Sequence, residues 1–415
     1  MRISRRVAIG LAGALLVAGC SSSDNSAKTA EVPPTVDSPV VTSTTTPTST
    51  TEGPNPPSTS PVPTSAGDPA SYCSSGPFSI DEQRAAIVDP AGVDFLPVGI
   101  NLTTGAYQDG EFWEKTSVTD LTPEHVATLR DVWRFNTVRL NIDSNQLPDI
   151  WTSAELERVI GLFTDAGMVA MVENHPYGTG LDPTAEQIES TANGFAELAR
   201  RWADNGCVWF NPFNEPGGKR GSSVYDVNNS DVTVDDAWVD WHTPVIDAIR
   251  AVSPDAVVVL DDTHFGQGRA GREFEAAETA VLTYGPDLNS RYDNLLYSVH
   301  FYDRWGGIRA DMDAFFDGAR QAGLAVVVGE AGGHPTEGPF FTDGYWPTSQ
   351  TLFEMRQPGV GILLWHGRTG HQSGMSVSRD QGQRVAVWEV TDRDDTEASG
   401  RLMWDWAHDP PSATP

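Results

Sequence analysis

Asn136-Thr137-Val138-Arg139-Leu140-Asn141, then Ser153 to Ala166, then Met168-Val169-Ala170-Met171-Val172-Glu173-Asn174 is the stretch that decides the fold. The two outer runs are short and apolar, and each ends on polar groups. The segment between them opens on Ser153 before Ala-Glu-Leu-Glu, a helix cap followed by an acidic first turn. Strand, amphipathic helix and strand in this order form the unit of a parallel sheet wrapped by helices.

The same alternation recurs on both sides. Strand-like runs stand at Phe95–Asn101, Asn136–Asn141, Met168–Asn174, Cys207–Asn214, Ala256–Asp261, Asn294–His300, Leu324–Glu330 and Val360–Trp365, eight in all. Helices are expected at Thr122–Trp133, Ser153–Ala166, Thr184–Asp204, Asp235–Ala251, Arg272–Thr283, Arg309–Ala322 and Pro347–Arg356. The span from Phe95 to Trp365, about 270 residues, approaches the roughly 250 of a closed (β/α)8 TIM barrel. A doubly wound nucleotide-binding sheet is disfavoured, because Gly99-Ile100-Asn101-Leu102 lacks the Gly-x-Gly-x-x-Gly fingerprint. Tyr72 to Asp94, with Phe78-Ser79-Ile80 and Ala86-Ile87-Val88, reads as a hairpin closing the lower end of the barrel. Beyond Trp365 the pattern fades to a strand-like Arg384–Trp388 and a helical turn at Leu402–Trp406.

The 415 residues carry 27 basic and 57 acidic side chains, a formal charge of -30. Residues 71–415 hold 23 of the basic and 52 of the acidic groups, so the acidity belongs to the folded part. No basic patch offers itself to phosphates, which argues against nucleic acid as a partner. Residues 1–20 begin with Arg2, Arg5 and Arg6, continue in an apolar run from Val7 to Gly19 that is too short to span a bilayer, and end at Cys20. Val17-Ala18-Gly19-Cys20 resembles the lipobox of bacterial lipoproteins, in which the cysteine is lipidated. The expectation is export, with the protein held on the outer face of the cell membrane through Cys20 alone, or secreted. Residues 21–70 are Ser, Thr or Pro at 31 of 50 positions, too polar to bury a core, and read as a disordered tether before a catalytic domain at 71–415.

In a barrel of this kind the C-terminal strand ends form the active face. Here they read Arg139 to Asn141, Glu173-Asn174-His175, Asn214-Glu215-Pro216, His300-Phe301-Tyr302, Gly329-Glu330 and Trp365-His366. One carboxylate after a strand is ordinarily a cap; six polar ends together point to a site. Glu215 and Glu330 lie 115 residues apart, three β/α units, and are expected to face one cavity from strands four and seven. Two carboxyl groups in differing surroundings supply the acid and the nucleophile of glycoside cleavage. Pro216 is expected to hold Glu215 in an extended backbone.

Phe213-Asn214-Glu215-Pro216, His300-Phe301-Tyr302, Val328-Gly329-Glu330 and Trp365, in this order, resemble glycoside hydrolase family 5, the cellulase and β-mannanase family of a retaining clan. The resemblance implies a TIM barrel in which Glu215 is the acid/base and Glu330 the nucleophile. It implies that Asn214 holds the sugar 2-hydroxyl, that Tyr302 and Arg139 support the nucleophile, and that His175 and His300 line the sugar site with Trp365 beneath the ring. The implied substrate is a β-linked polysaccharide, β-1,4-mannan or β-1,4-glucan, cleaved by a monomer through double displacement. Two alternatives stand beside it: a wall-tethered carbohydrate-binding lipoprotein without turnover, and a transglycosylase using the same glutamates.

No His-x-His pair marks the first run, where a metal-dependent barrel hydrolase would place one, so neither metal nor cofactor is expected. Trp305, Trp151 and Tyr177 are sugar platforms or ordinary packing residues, and His264 reads as a polar loop residue. Cys73, before the hairpin, and Cys207, at the start of strand four, both fall at the lower end of the barrel. In an exported protein they form a disulfide or stay as two free thiols.

Overall fold

The computed structural model describes residues 69–103, 121–142, 144, 149–175, 182–217, 233–268, 279–335, 344–367 and 386–415, and within them the eight runs close into one parallel barrel. A hairpin of β1 (Ser79–Asp81) and β2 (Ala86–Val88) comes first. The barrel strands are β3 (Val98–Thr103), β4 (Thr137–Ile142), β5 (Val169–Asn174), β6 (Val208–Asn211), β7 (Val258–Asp261), β8 (Leu295–Phe301), β9 (Val326–Ala331) and β10 (Gly361–Leu364). They stand in chain order, and β10 pairs back onto β3 through Leu363 opposite Gly99.

Strand alternation divides the interior in two. Val138, Leu140, Ala170, Val172, Val258 and Leu260 point outward and pack with helix residues such as Leu156, Val159, Phe163 and Phe195. The alternate residues Val169, Met171, Trp209, Val257, Val259, Leu296, Val327 and Leu363 fill the lower barrel, where Phe78, Ile87 and Cys73 join them. The hairpin therefore plugs the lower mouth, with Phe78 edge-on to Trp209 at 5.3 Å between ring centroids. Continuing the inward phase upward replaces apolar groups by polar ones: Met171 gives way to Glu173, Trp209 to Asn211 and Val259 to Asp261. That change of chemistry within single strands places the site.

Helices cover the outer face. α1 (Pro69–Cys73) begins two residues inside the tract that composition alone assigns to the tether. α2 (Pro123–Ala127) is capped reciprocally by Thr122 and His125 and runs on as a π turn, Thr128–Val132. α3 (Ala154–Asp165) starts on Ser153, whose hydroxyl accepts from the Leu156 N–H. α4 (Ala185–Arg201), α5 (Thr233–Arg250), α7 (Arg309–Gln321) and α8 (Trp346–Met355) fall where the pattern puts them. α6 does not. It spans Ala280–Asn289, capped by Thr279 and running through Pro286, and so shares only residues 280–283 with the expected Arg272–Thr283; residues 272–278 lie outside the described residues.

In the C-terminal segment, Val387–Glu389 is a 3-10 turn rather than a strand, and its carbonyl at Val387 accepts from the buried Trp133 indole at 3.0 Å. The turn expected at Leu402–Trp406 is a full helix, α9 (Ala398–His408), whose Trp404 packs on Trp133 at 4.8 Å. Among the described residues no helix is long and apolar enough to cross a membrane. Cys20 and nearly all of the proposed tether, residues 21–68, lie outside the described residues.

Cys73 and Cys207 are joined by a disulfide across 134 residues of sequence. It fastens α1 to the foot of β6, where the Gly206 N–H also donates to the Cys73 carbonyl at 2.8 Å. Closing so long a loop stabilises by up to about 5 kcal/mol in the chain-entropy picture, less whatever strain the bridge carries. The Cys73→Ala/Cys207→Ala double variant is expected to unfold at markedly lower denaturant concentration with its activity at low temperature intact, as read from urea titration and turnover side by side.

Candidate active site

Arg139 organises the upper barrel. Its side chain is fully buried, and its five N–H groups all have acceptors: Nε gives to Asn211 Oδ1 at 2.9 Å, Nη1 to Asn101 Oδ1 at 3.0 Å and Glu330 Oε1 at 2.7 Å, and Nη2 to Asn214 Oδ1 and Asp261 Oδ2, each at 2.9 Å. Burial alone would ease the proton off the guanidinium; Glu173, Asp261 and Glu330 outweigh it and hold the charge more firmly than usual. A fixed cation thus holds Glu330 directly and reaches the Glu215 side of the site only through Asn214 and Asp261.

Glu330, on β9, is buried and receives donors on both oxygens, Arg139 on Oε1 and the Tyr302 hydroxyl on Oε2 at 3.0 Å. Burial and the neighbouring Glu330 push the Tyr302 hydroxyl well above its usual range, so it stays a donor. Two donors and no acceptor are the hydrogen-bonding pattern of a carboxylate.

Glu215 stands beyond β6 in different surroundings. Burial pushes its pKa above the usual carboxylate range and Glu330 adds to this, against the opposing pull of His300, whose Nδ1 lies 2.7 Å from Glu215 Oε1. Its backbone departs from the extended form expected before Pro216: φ is 46°, in the left-handed region that non-glycine residues rarely occupy. The Glu215 N–H donates to Asp261 Oδ2 at 3.2 Å, which helps to hold that conformation. Strain of this kind collects at functional sites and persists where the surroundings enforce it.

One carboxylate oxygen of Glu215, one of Glu330 and a ring nitrogen of His300 all lie within 4.8 Å of one another. These are also metal-ligand types. In this arrangement, however, the oxygens facing the gap already accept from Arg139 and Tyr302 or lie against His300, and the buried guanidinium beside them opposes a second cation.

The remaining expected residues divide clearly. His175 and Trp365 face each other nearly parallel at 5.4 Å, and Trp365 and Tyr302 share a small aromatic cluster with Tyr345. Glu173 Oε2 accepts from Asn141 at 2.6 Å and lies 3.1 Å from His175 Nδ1, which orients that ring so that Nε2 meets Asn214 Nδ2 at 3.5 Å. Burial draws the His175 imidazole down, but Glu173 more than reverses this and raises it. Arg139, His175, Asn214, Glu215, His300, Tyr302, Glu330 and Trp365 are therefore gathered at one mouth.

Trp305 is not among them; it is buried against Phe301 at 4.5 Å and donates to the His300 carbonyl, a packing residue behind the site. Trp151 lies in the outer layer against Phe195, lining a surface cavity of about 470 Å³ with Glu186, Glu189 and Glu197. His264 is buried in the loop after β7 with φ of 50°. Tyr177 lies outside the described residues.

Asn101, Asn211 and Asp261 escaped the reading of strand ends, and Asn141 was named there only as a polar end. Their signal was parity: each continues the inward phase of its strand, two residues above an inward neighbour.

A closed (β/α)8 barrel whose strand ends bring two buried glutamates together over a buried arginine is the build of a glycosidase that hydrolyses O-glycosyl compounds. The family described as cellulase (glycosyl hydrolase family 5) matches residues 88–369. The chain belongs to that family. A mannan endo-1,4-beta-mannosidase from Salipaludibacillus agaradhaerens is 24% identical over 316 residues, which cover 73% of this chain and 86% of that protein. The solved catalytic domain of a mannanase from Streptomyces sp. SirexAA-E superposes with a TM-score of 0.56 at 18% identity, over 82% of this chain and 92% of its own. An endoglucanase catalytic domain from Thermobifida fusca, solved with cellotetraose, gives 0.56 at 18% identity over 82% of this chain and all of its own. At these identities the two structures speak for the fold.

Proposed function

We propose that the protein cleaves a β-1,4-linked polysaccharide, mannan ahead of glucan, by double displacement with net retention. The observation that carries the reading is the separation of Glu215 and Glu330, whose nearest oxygens lie within 4.8 Å. Retaining enzymes hold their two carboxyl groups at about 5–5.5 Å, whereas inverting enzymes leave about 6.5–9.5 Å for a water. Glu330, held by Arg139 and Tyr302, attacks the anomeric carbon; Glu215, whose hold on its proton burial strengthens, gives that proton to the leaving oxygen and later takes one from water. Mannan is preferred because the sequence relative is a mannan endo-1,4-beta-mannosidase. Turnover of mannan, glucomannan, cellulose and β-1,3-glucan, with product sizes and the anomer of the first product followed by NMR, tests this. A first product of inverted configuration defeats the mechanism, and preference for β-1,3-glucan defeats the substrate.

We infer further that Cys20 is lipidated and that residues 21–70 tether the barrel to the outer face of the cell membrane. The basic start, the short apolar run and Val17-Ala18-Gly19-Cys20 support this. Cys20→Ala is expected to move the protein from the membrane fraction to the soluble one; a variant that stays membrane-bound refutes the anchor.

A further inference from the structure

Asp261 is fully buried at the top of β7, and no role in sugar cleavage falls to it from the strand-end pattern. Its Oδ1 accepts from Asn211 Nδ2 at 3.1 Å. Its Oδ2 meets three groups at once: Arg139 Nη2 at 2.9 Å, the backbone N–H of Glu215 at 3.2 Å and His300 Nε2 at 3.3 Å, the last off the line of a hydrogen bond. The opposite ring nitrogen, Nδ1, lies against Glu215 Oε1. One carboxylate thus touches both the backbone of the acid/base and the far side of its imidazole partner.

The next residues of the same loop seat that ring. Gly266, with φ of 68°, accepts from the His300 N–H at 2.7 Å, and a Cβ at this position would stand 2.6 Å from the ring.

We propose that Asp261 is the positioning residue of the acid/base: it holds His300 as an imidazolium whose Nδ1–H donates to Glu215 Oε1, so that the acidic proton resides on Glu215 Oε2 and faces the leaving oxygen. This rests on the double-displacement reading. In the first step the Oε2 proton passes to the glycosidic oxygen as its bond to the anomeric carbon breaks and Glu330 bonds to that carbon. In the second step water loses a proton to Glu215, its oxygen takes the anomeric carbon, and Glu330 departs; His300 keeps both protons throughout. Were His300 neutral, with its single proton on Nε2, the bare Nδ1 would draw the proton of Glu215 onto Oε1, away from substrate.

The charges around the ring favour the imidazolium. Glu330 Oε2 lies 3.6 Å from Nδ1, and Asp261 and Glu215 complete a ring of three acids. Burial pulls the imidazole down, but Glu330 and Asp261 outweigh it and push it up to about 10. Glu215 in turn faces Glu330 and His175 besides His300, while Asp261 itself is held well below the usual carboxylate range: burial opposes this, and Arg139 and His300 prevail.

The competing view is that Asp261 only neutralises the buried Arg139. It predicts lost stability with equal losses on all substrates. Asp261→Asn keeps the shape and removes the charge, which lowers the proton affinity of His300 and lets the imidazolium titrate at lower pH. The expected result is a fall in kcat/KM of about ten- to hundredfold on polysaccharide, whose leaving group needs the proton, with a far smaller fall on a dinitrophenyl glycoside. The basic limb of the kcat/KM profile should move to lower pH. Equal losses on both substrates with an unmoved basic limb overturn the proposal.

Should the variant not fold, nitrogen-15 NMR of the intact enzyme decides, with the His300 signals assigned by their loss in His300→Gln. Both ring nitrogens protonated at neutral pH support the proposal, and a neutral imidazole refutes it. An unmodified enzyme that turns over no glycoside would instead sink the underlying reading, and the NMR result would still report on the Asp261–His300 pair.

Discussion

Glu330→Ala is expected to abolish turnover of every substrate, activated or not, by on the order of 10^5-fold or more, because no other group stands ready to form the covalent intermediate. The variant should remain folded. Removing the carboxylate leaves one N–H of Arg139 and the Tyr302 hydroxyl without their acceptor, but Arg139 keeps Asn101, Asn211, Asn214 and Asp261. Removing one partner of a buried ion pair costs about 3–5 kcal/mol; Asp261 and Glu173 still balance the guanidinium, and a barrel with a continuous outer core should tolerate the loss. Circular dichroism and a thermal melt, run beside the assay, separate the two effects. If Glu330 only capped a loop, activity would track the folded fraction; a folded Glu330→Ala that kept near-native turnover would refute its role.

The barrel was legible because each strand is a short apolar run buried on its outer face by helices and bounded by polar ends, and parallel strands of this kind cannot be mistaken for amphipathic helices of similar length. All eight strands fall within two or three residues of the runs at their starts. The site was legible for a related reason: one polar residue ending an apolar run is ordinarily a cap, but six such ends, Arg139, Glu215, His300 and Glu330 among them, have no shared packing function and stood out as a set.

Asp261 did not, although it ends the fifth run. It is followed at once by Asp262, and because Val257, Val258, Val259 and Leu260 are apolar in both phases, parity could be used only once the pairing of β7 with β8, Asp261 opposite Ser298, fixed which phase faces inward. That register is a tertiary property. The backbone of Glu215 was misread for a similar reason. The residue before a proline is biased toward extended conformations, but the contact of the Glu215 N–H with Asp261 Oδ2 lies outside anything local sequence encodes. α6 shows the same limit: the helix capped by Thr279 runs on through Pro286 to Asn289, six residues past the expected end at Thr283.

Glu215→Ala should behave quite differently from Glu330→Ala, and the contrast is the sharper test of how the two carboxyl groups divide the work. With the acid removed, kcat/KM on polysaccharide is expected to fall by about 10^2- to 10^4-fold, the usual worth of a general acid. A glycoside with an activated phenol leaving group needs no proton, so Glu330 should still be glycosylated, and the first turnover should release a burst of phenol. The second step then stalls, since no base remains to take the proton of water. The space vacated beside His300 Nδ1 suits a small anion, because the imidazole there is raised to about 10: burial lowers it, and Glu330 and Asp261 more than offset that. Azide entering that space should resolve the intermediate without a base, restore turnover of the activated glycoside, and yield the β-glycosyl azide, the anomer that two inversions produce. An α-azide, or a folded Glu215→Ala that loses activity equally on both substrates and ignores azide, would show that Glu215 is not the acid/base.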